Sequence, residues 1–181
     1  MRVSGERVSI ARLVHQKEPW MRYGVKVSAI FLAMVVAGSY FIDRYRIGVD
    51  SQVEKCLPGY TFFLVDTWDK NLVRDRIYSF GARGMMPFFP DGTRIAKVLR
   101  GVPGDTVGID QESVIRINGS EIGRGLPLAA QLERKEASFH GSTTLPEGRY
   151  WFMGVNPVSF DSRYWGAVHQ EQIVGRAYPL F

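Results

Sequence analysis

The chain has 181 residues, 45% hydrophobic and 23% charged, which leaves room for one ordinary domain and an appendage and excludes a disordered chain. Its net charge of +5 is concentrated in residues 1–26, where Arg2, Arg7, Arg12, Lys17, Arg22 and Lys26 face only Glu6 and Glu18; the rest holds 17 Lys+Arg against 16 Asp+Glu, so no nucleic-acid partner is expected. The single cysteine, Cys56, excludes an intrachain disulfide and a cysteine zinc site. The scattered histidines His15, His140 and His169 give no basis for a metal cofactor.

Residues 27–42 (VSAIFLAMVVAGSYFI) carry no charge. As a helix they would span about 24 Å, against a bilayer core of about 30 Å. Tyr23, Gly24 and Val25 supply the difference, and Lys26 can reach back to the headgroups. The predicted organisation is a basic cytoplasmic tail at 1–22, a transmembrane anchor at 23–42 and an exported domain at 43–181, the orientation following from the positive charge that precedes the span. A cleaved signal peptide is the rival reading, because Ala37 and Ser39 are small residues at a suitable spacing, although the basic region is long for one.

Beyond the anchor, residues 60–67 (YTFFLVDT) are aromatic and β-branched and predict a strand. Residues 71–75 predict a turn, 76–80 a second strand, and Pro87, Pro90 and Asp91-Gly92 a loop and turn. Met85-Met86-Pro87-Phe88-Phe89 is either a membrane-facing lip or a core loop. A third strand at 94–100 ends at Gly101-Val102-Pro103-Gly104. Short strands at 106–109 and 113–118 follow, with Asn118-Gly119 as a turn. Residues 120–147 show few strand signals and predict an insertion or long loop; 150–155 and 172–178 predict the last strands. Short strands so spaced predict a mainly β domain.

The strand at 94–100 contains an anomaly. Alternation puts Lys97 on the face of Ile95 and Leu99. Such a lysine is either an edge residue whose stem packs while its amine escapes, or a lysine held in a dry site, where it can serve as a general base. The pattern alone favours the first.

Residues 97–105 (KVLRGVPGD) resemble the type I signal peptidase motif, a lysine four residues before a Gly-x-Pro-Gly-Asp turn. Residues 154–166 (GVNPVSFDSRYWG) resemble that family's Gly-Asn…Ser-x-Asp-Ser-Arg-x-x-Gly box, and 173–177 (IVGRA) are similar to its closing strand. The resemblance covers residues 53–181. Within the family, the small size, Asn156-Pro157 and Leu57-Pro58-Gly59-Tyr60 look most like the TraF-type conjugative transfer peptidases, which process pilin precursors and in some members join the pilin ends into a ring.

The resemblance implies a β-rich catalytic domain behind a single N-terminal transmembrane helix, in the inner membrane with its domain in the periplasm. It needs no cofactor, and its partners are membrane lipid and a pilin precursor or another membrane-embedded preprotein. Lys97 takes the place of the general base. The family's nucleophilic serine lies in Ser-x-Pro; here the matching stretch is Cys56-Leu57-Pro58, so a thiol stands where a hydroxyl is expected. Ser159 resembles the serine that holds the lysine amine. Asp161 resembles the aspartate that pairs with Arg163 and is counted as catalytic in TraF-type members; the alternative is that Asp161 and Arg163 form a structural ion pair. The Cys56 backbone N–H is one oxyanion donor. The family often takes the other from a hydroxyl two residues before the nucleophile, but that residue is Glu54, which cannot donate unless protonated, so the second donor stays open. The competing readings are a degenerate enzyme kept as a pilus-assembly factor, a sortase-like cysteine transpeptidase using His140 or His169, and a general secretory signal peptidase.

Overall fold

The structure is a computed structural model that describes residues 19–50, 52 and 55–181. The expectations for residues 1–18, including His15, and for Ser51 and Glu54 lie outside the described residues. The chain divides into two units, one ending at Asp43 and one running from Arg44 to Phe181.

Helix α1 (Trp20–Arg44) has 25 residues, about 37 Å at the usual rise. It extends past the uncharged 27–42 stretch at both ends and is long and apolar enough to cross a membrane. No residue of α1 is buried. A helix that exposes Ile30, Phe31, Leu32, Val36 and Ile42 has its favourable surroundings in an apolar solvent.

The second unit is mainly β. Its strands are β1 (Tyr45–Val49), β2 (Phe62–Asp66), β3 (Ile77–Gly81), β4 (Arg94–Gly101), β5 (Thr106–Ile109), β6 (Val114–Ile117), β7 (Ser120–Arg124), β8 (Gly141–Thr144), β9 (Arg149–Met153), β10 (Val168–His169) and β11 (Ile173–Pro179), with a one-turn helix α2 (Ser162–Trp165) before β10. They form a seven-stranded sheet in the order β1-β2-β11-β3-β4-β9-β10 and a four-stranded sheet in the order β7-β6-β5-β8. Neighbouring strands are antiparallel throughout. One large core, including Phe80, Leu99, Ile115, Leu145 and Phe152, joins the two sheets. A smaller one of Leu57, Phe63, Val65, Val98 and Ala177 lies apart from it.

The long loop expected at 120–147 is corrected. It holds β7, a 3-10 turn at Glu136–Phe139 and β8. The Asn118-Gly119 turn brings β7 back along β6, and Leu126, Ala129 and Leu145 enter the large core. Strand β8 (GSTT) gives no hydrophobic signal because all four residues are exposed; it is held by its register with β5, Thr106 facing Thr144. Strand β1 escaped the sequence reading for the same reason, since its pairing with β2 rather than buried alternation holds it.

Strand β4 positions the site. Asp91-Gly92, with Gly92 at φ +86°, precedes it. Gly101–Gly104 ends it in a turn closed by the Asp105 N–H donating to Val102 O at 3.0 Å, with the Asp105 carboxylate accepting the Val102 N–H at 2.8 Å. Alternation then sends Ile95 and Leu99 into the large core and Val98 into the small one. Lys97 falls on the large-core side with 0% exposure.

Candidate active site

The edge-lysine reading of residue 97 is corrected: its amine does not escape to solvent. Strands β3 and β9 flank β4 on both sides, so Lys97 is interior to the sheet, opposite Tyr78. Its Nζ donates to Cys56 Sγ at 2.6 Å and to Ser159 Oγ at 2.7 Å. Trp165 presents its ring 5.9 Å from the same nitrogen. Cys56 Sγ and Ser159 Oγ are the hydrogen-bond partners of this amine among the described residues.

Cys56 is held by three devices. Leu57 packs into the small core. Leu57-Pro58-Gly59-Tyr60 makes a turn closed by the Tyr60 N–H donating to Leu57 O at 3.3 Å, with Gly59 at φ +90°. Pro followed by Gly is the order that a turn with a left-handed third residue requires. The Gly154–Asn156 segment then clamps the backbone. Val155 N–H and Asn156 N–H both donate to Cys56 O, at 2.9 and 3.3 Å, and Asn156 Nδ2 donates to Lys55 O at 3.2 Å. A side chain at Gly154 would run into Ser159, so the clamp closes only on glycine. Cys56 is 7% exposed and lies where two grooves meet. One, of about 360 Å³, runs past Arg46, Asp50, Arg94 and Ala96; the other, of about 660 Å³, is lined by Phe88, Leu128, Gln131, Val158 and Phe160.

Asp161 and Arg163 form a second buried cluster beside the first. Arg163 donates to Asp161 Oδ1 from Nε at 2.7 Å and to Oδ2 from Nη2 at 2.8 Å. The Arg163 N–H caps α2 on Asp161 Oδ1, and the Gly154 N–H donates to Oδ2 at 3.1 Å. Arg163 Nη2 also donates to Ser159 O at 2.9 Å. Burial works against the Arg163 charge, but the bonds and charge of Asp161 outweigh it and raise the guanidinium above its ordinary value. The pair thus ties the Ser159 backbone to Gly154.

The structure therefore brings Cys56, Lys97 and Ser159 into direct contact and places Asp161 behind them. It does not bring in His140 or His169: His140 Nε2 lies 3.4 Å from Ser113 Oγ, His169 is in β10, and neither lines the grooves at Cys56. The sequence reading did not single out Asn156 as a clamp on Cys56, nor Gln52, whose Oε1 lies 3.4 Å from Cys56 Sγ. No motif pointed to Gln52. The Asn156-Pro157 pair carried a signal, used only as part of the family resemblance.

The family profile described as signal peptidase, peptidase S26, matches residues 20–181. Signal peptidase I V of Bacillus subtilis is 29% identical over 98 residues, 48% of this chain and 56% of that protein. A probable signal peptidase I-2 of Synechocystis is 34% identical over 86 residues, 47% and 37% of the two chains. Signal peptidase I of Pseudomonas aeruginosa is 27% identical over 210 aligned positions, 91% and 74%. The chain thus spans about half or less of the length of the first two relatives. A crystal structure of a signal peptidase I from Enterococcus faecalis aligns with a TM-score of 0.38 at 28% identity, over 60% of this chain and 97% of that one.

Proposed function

The chain belongs to the signal peptidase family, peptidase S26, and from that membership we propose that it is a membrane-anchored peptidase that cuts exported precursors with Cys56 as nucleophile and Lys97 as base. The observation that carries this reading is the buried Lys97 amine 2.6 Å from the Cys56 sulfur and 2.7 Å from Ser159 Oγ. Ser159 orients the amine, and Asp161 acts through Arg163 and Gly154 to hold Ser159 in place. The organisation proposed is a cytoplasmic tail at 1–22, an anchor at 23–42 in the inner membrane and a periplasmic domain from 43.

In this reading Lys97 takes the thiol proton and the thiolate adds to the scissile carbonyl, its π electrons moving to oxygen. Collapse expels the amine, which receives the proton from Lys97, and leaves a thioester on Cys56. Water, losing a proton to Lys97, releases the acid and restores the thiol. A thiol is far more acidic than a hydroxyl and asks less of its base. A thioester also reacts with amines, so a precursor's own N-terminus in place of water yields an amide, which is acyl transfer.

Leu57-Pro58-Gly59-Tyr60 and Asn156-Pro157, the features that look TraF-like, hold the nucleophile loop. They support a pilin precursor of a conjugation system as the substrate.

The test is to co-express a pilin precursor with wild type, Cys56→Ala, Cys56→Ser and Lys97→Ala and to weigh the product. Loss of the leader means cleavage, and a further loss of one water means ring closure. Unchanged processing by Cys56→Ala would sink the nucleophile assignment. Wild type that binds the precursor without cutting it would make the chain an assembly factor. Cleavage of many unrelated exported precursors would make it a general signal peptidase. Full activity of His140→Ala and His169→Ala would end the sortase-like alternative.

A further inference from the structure

A thiolate that adds to a carbonyl needs donors for the oxygen that becomes negative. The Cys56 backbone N–H has no acceptor among the described residues and supplies one. Lys97 Nζ and Ser159 Oγ are engaged with each other. The residue two before the nucleophile, Glu54, is a carboxylate in sequence and cannot donate when ionised.

We propose that the Gln52 carboxamide is the second oxyanion donor. This rests on the reading of Cys56 as nucleophile. Three observations carry it. The carboxamide lies 3.4 Å from Cys56 Sγ, with the thiol donating to Oε1. Gln52, Cys56 and Phe89 are the residues that line both grooves, so Gln52 is the polar side chain beside the sulfur where a peptide would pass from one groove to the other. Its backbone N–H is fixed on Asp50 Oδ1 at 3.1 Å, which holds the start of the side chain in place.

The two ends of a carboxamide have the same shape, so a half-turn about the terminal torsion exchanges Oε1 for Nε2 with no change in packing. Before attack the thiol S–H donates to Oε1. Once the proton has moved to Lys97, the sulfur and then the carbonyl oxygen bonded next to it are negative, and Nε2 is the end that both attract. Gln52 thus contacts the neutral thiol through one end and the charged intermediate through the other.

A peptide aldehyde ending in Ala-x-Ala, the small-residue pattern of leader sites, tests this without turnover. The Cys56 thiol gives its proton to Lys97 and its sulfur adds to the aldehyde carbon, and the C=O electrons move to oxygen, which stays negative while Lys97 keeps the proton. The hemithioacetal oxygen then occupies the oxyanion position. Affinity is read from protection of Cys56 against iodoacetamide by intact mass, on full-length wild type, Gln52→Ala and Gln52→Glu. The expected result is aldehyde affinity weakened by about 10²-fold or more in both variants, with alkylation in the absence of aldehyde changed far less. Glu keeps the shape and loses the donor, so Gln52→Glu at wild-type affinity overturns the proposal. Equal falls in affinity and alkylation also overturn it, because Gln52 would then act on the sulfur alone. Wild type whose Cys56 gains no protection from the aldehyde defeats the underlying nucleophile reading instead, a result distinct from the other two.

Discussion

Two buried polar clusters lie side by side in this domain and are built on opposite plans. In the Asp161–Arg163 pair each charge meets its opposite through two hydrogen bonds, and the remaining lone pairs and donors go to backbone groups of Gly154, Ser159 and Gly125. Lys97, equally buried, meets a thiol and a hydroxyl. The first cluster matches its two charges to each other and to the backbone, as a brace would. The second keeps an amine against a thiol at the junction of two grooves. Burial of a charged residue therefore does not by itself mark a reactive group. What its partners can do marks it.

The comparison predicts different failures for the two clusters. Lys97→Met fills the same space without the amine, and turnover should fall by on the order of 10⁴-fold or more while the thermal unfolding curve is retained. Asp161→Asn leaves Arg163 buried without its counter-charge, and the domain should lose about 3–5 kcal/mol of stability in urea titration, with activity lost because the fold loosens. If instead Asp161→Asn melts like wild type and only turnover falls, the brace reading is wrong. Ser159→Ala removes one partner of the amine, an interaction of about 1.5–3 kcal/mol; a 10–100-fold fall in kcat with little change in KM is expected at 1.36 kcal/mol per decade.

The smallest effect concerns acid. Burial tends to raise the Asp105 carboxyl, but the bonds from Arg74, the Val102 N–H and Asn118 Nδ2 outweigh it and hold the group below its ordinary value. A lowered carboxylate pKa contributes stability above the unfolded value, near 4, and loses it as pH falls through the lowered one. Arg74 is partly exposed, so solvent screening limits its share to on the order of 1 kcal/mol. Asp105→Asn should lower stability at pH 7 and flatten the fall below about pH 4 in melts recorded against pH.

Strands β2, β4 and β9 were legible in the sequence because buried aromatic, β-branched and aliphatic residues run through them. Strands β1 and β8 were not, because pairing with a neighbour leaves no hydrophobic trace in the chain. Periodicity even misled at Lys97: it shows which face a side chain takes and is silent on whether the strand has neighbours on both sides. The motif around Lys97 and the box around Ser159 and Asp161 were legible as resemblances. The contacts of Asn156 and Gln52 with the Cys56 loop were not. Asn156 reaches Lys55 across 101 residues of chain, and no period predicts the contact of Gln52 with the sulfur.

The central claim is that Lys97 makes Cys56 reactive. Its most direct measurement is the rate at which iodoacetamide modifies Cys56 at pH 7, followed by intact mass in wild type and in Lys97→Met, with circular dichroism confirming the fold of both. The account predicts rapid modification of wild type and a fall to the slow rate of an unassisted thiol in the variant. Equal rates in the two folded proteins would contradict it.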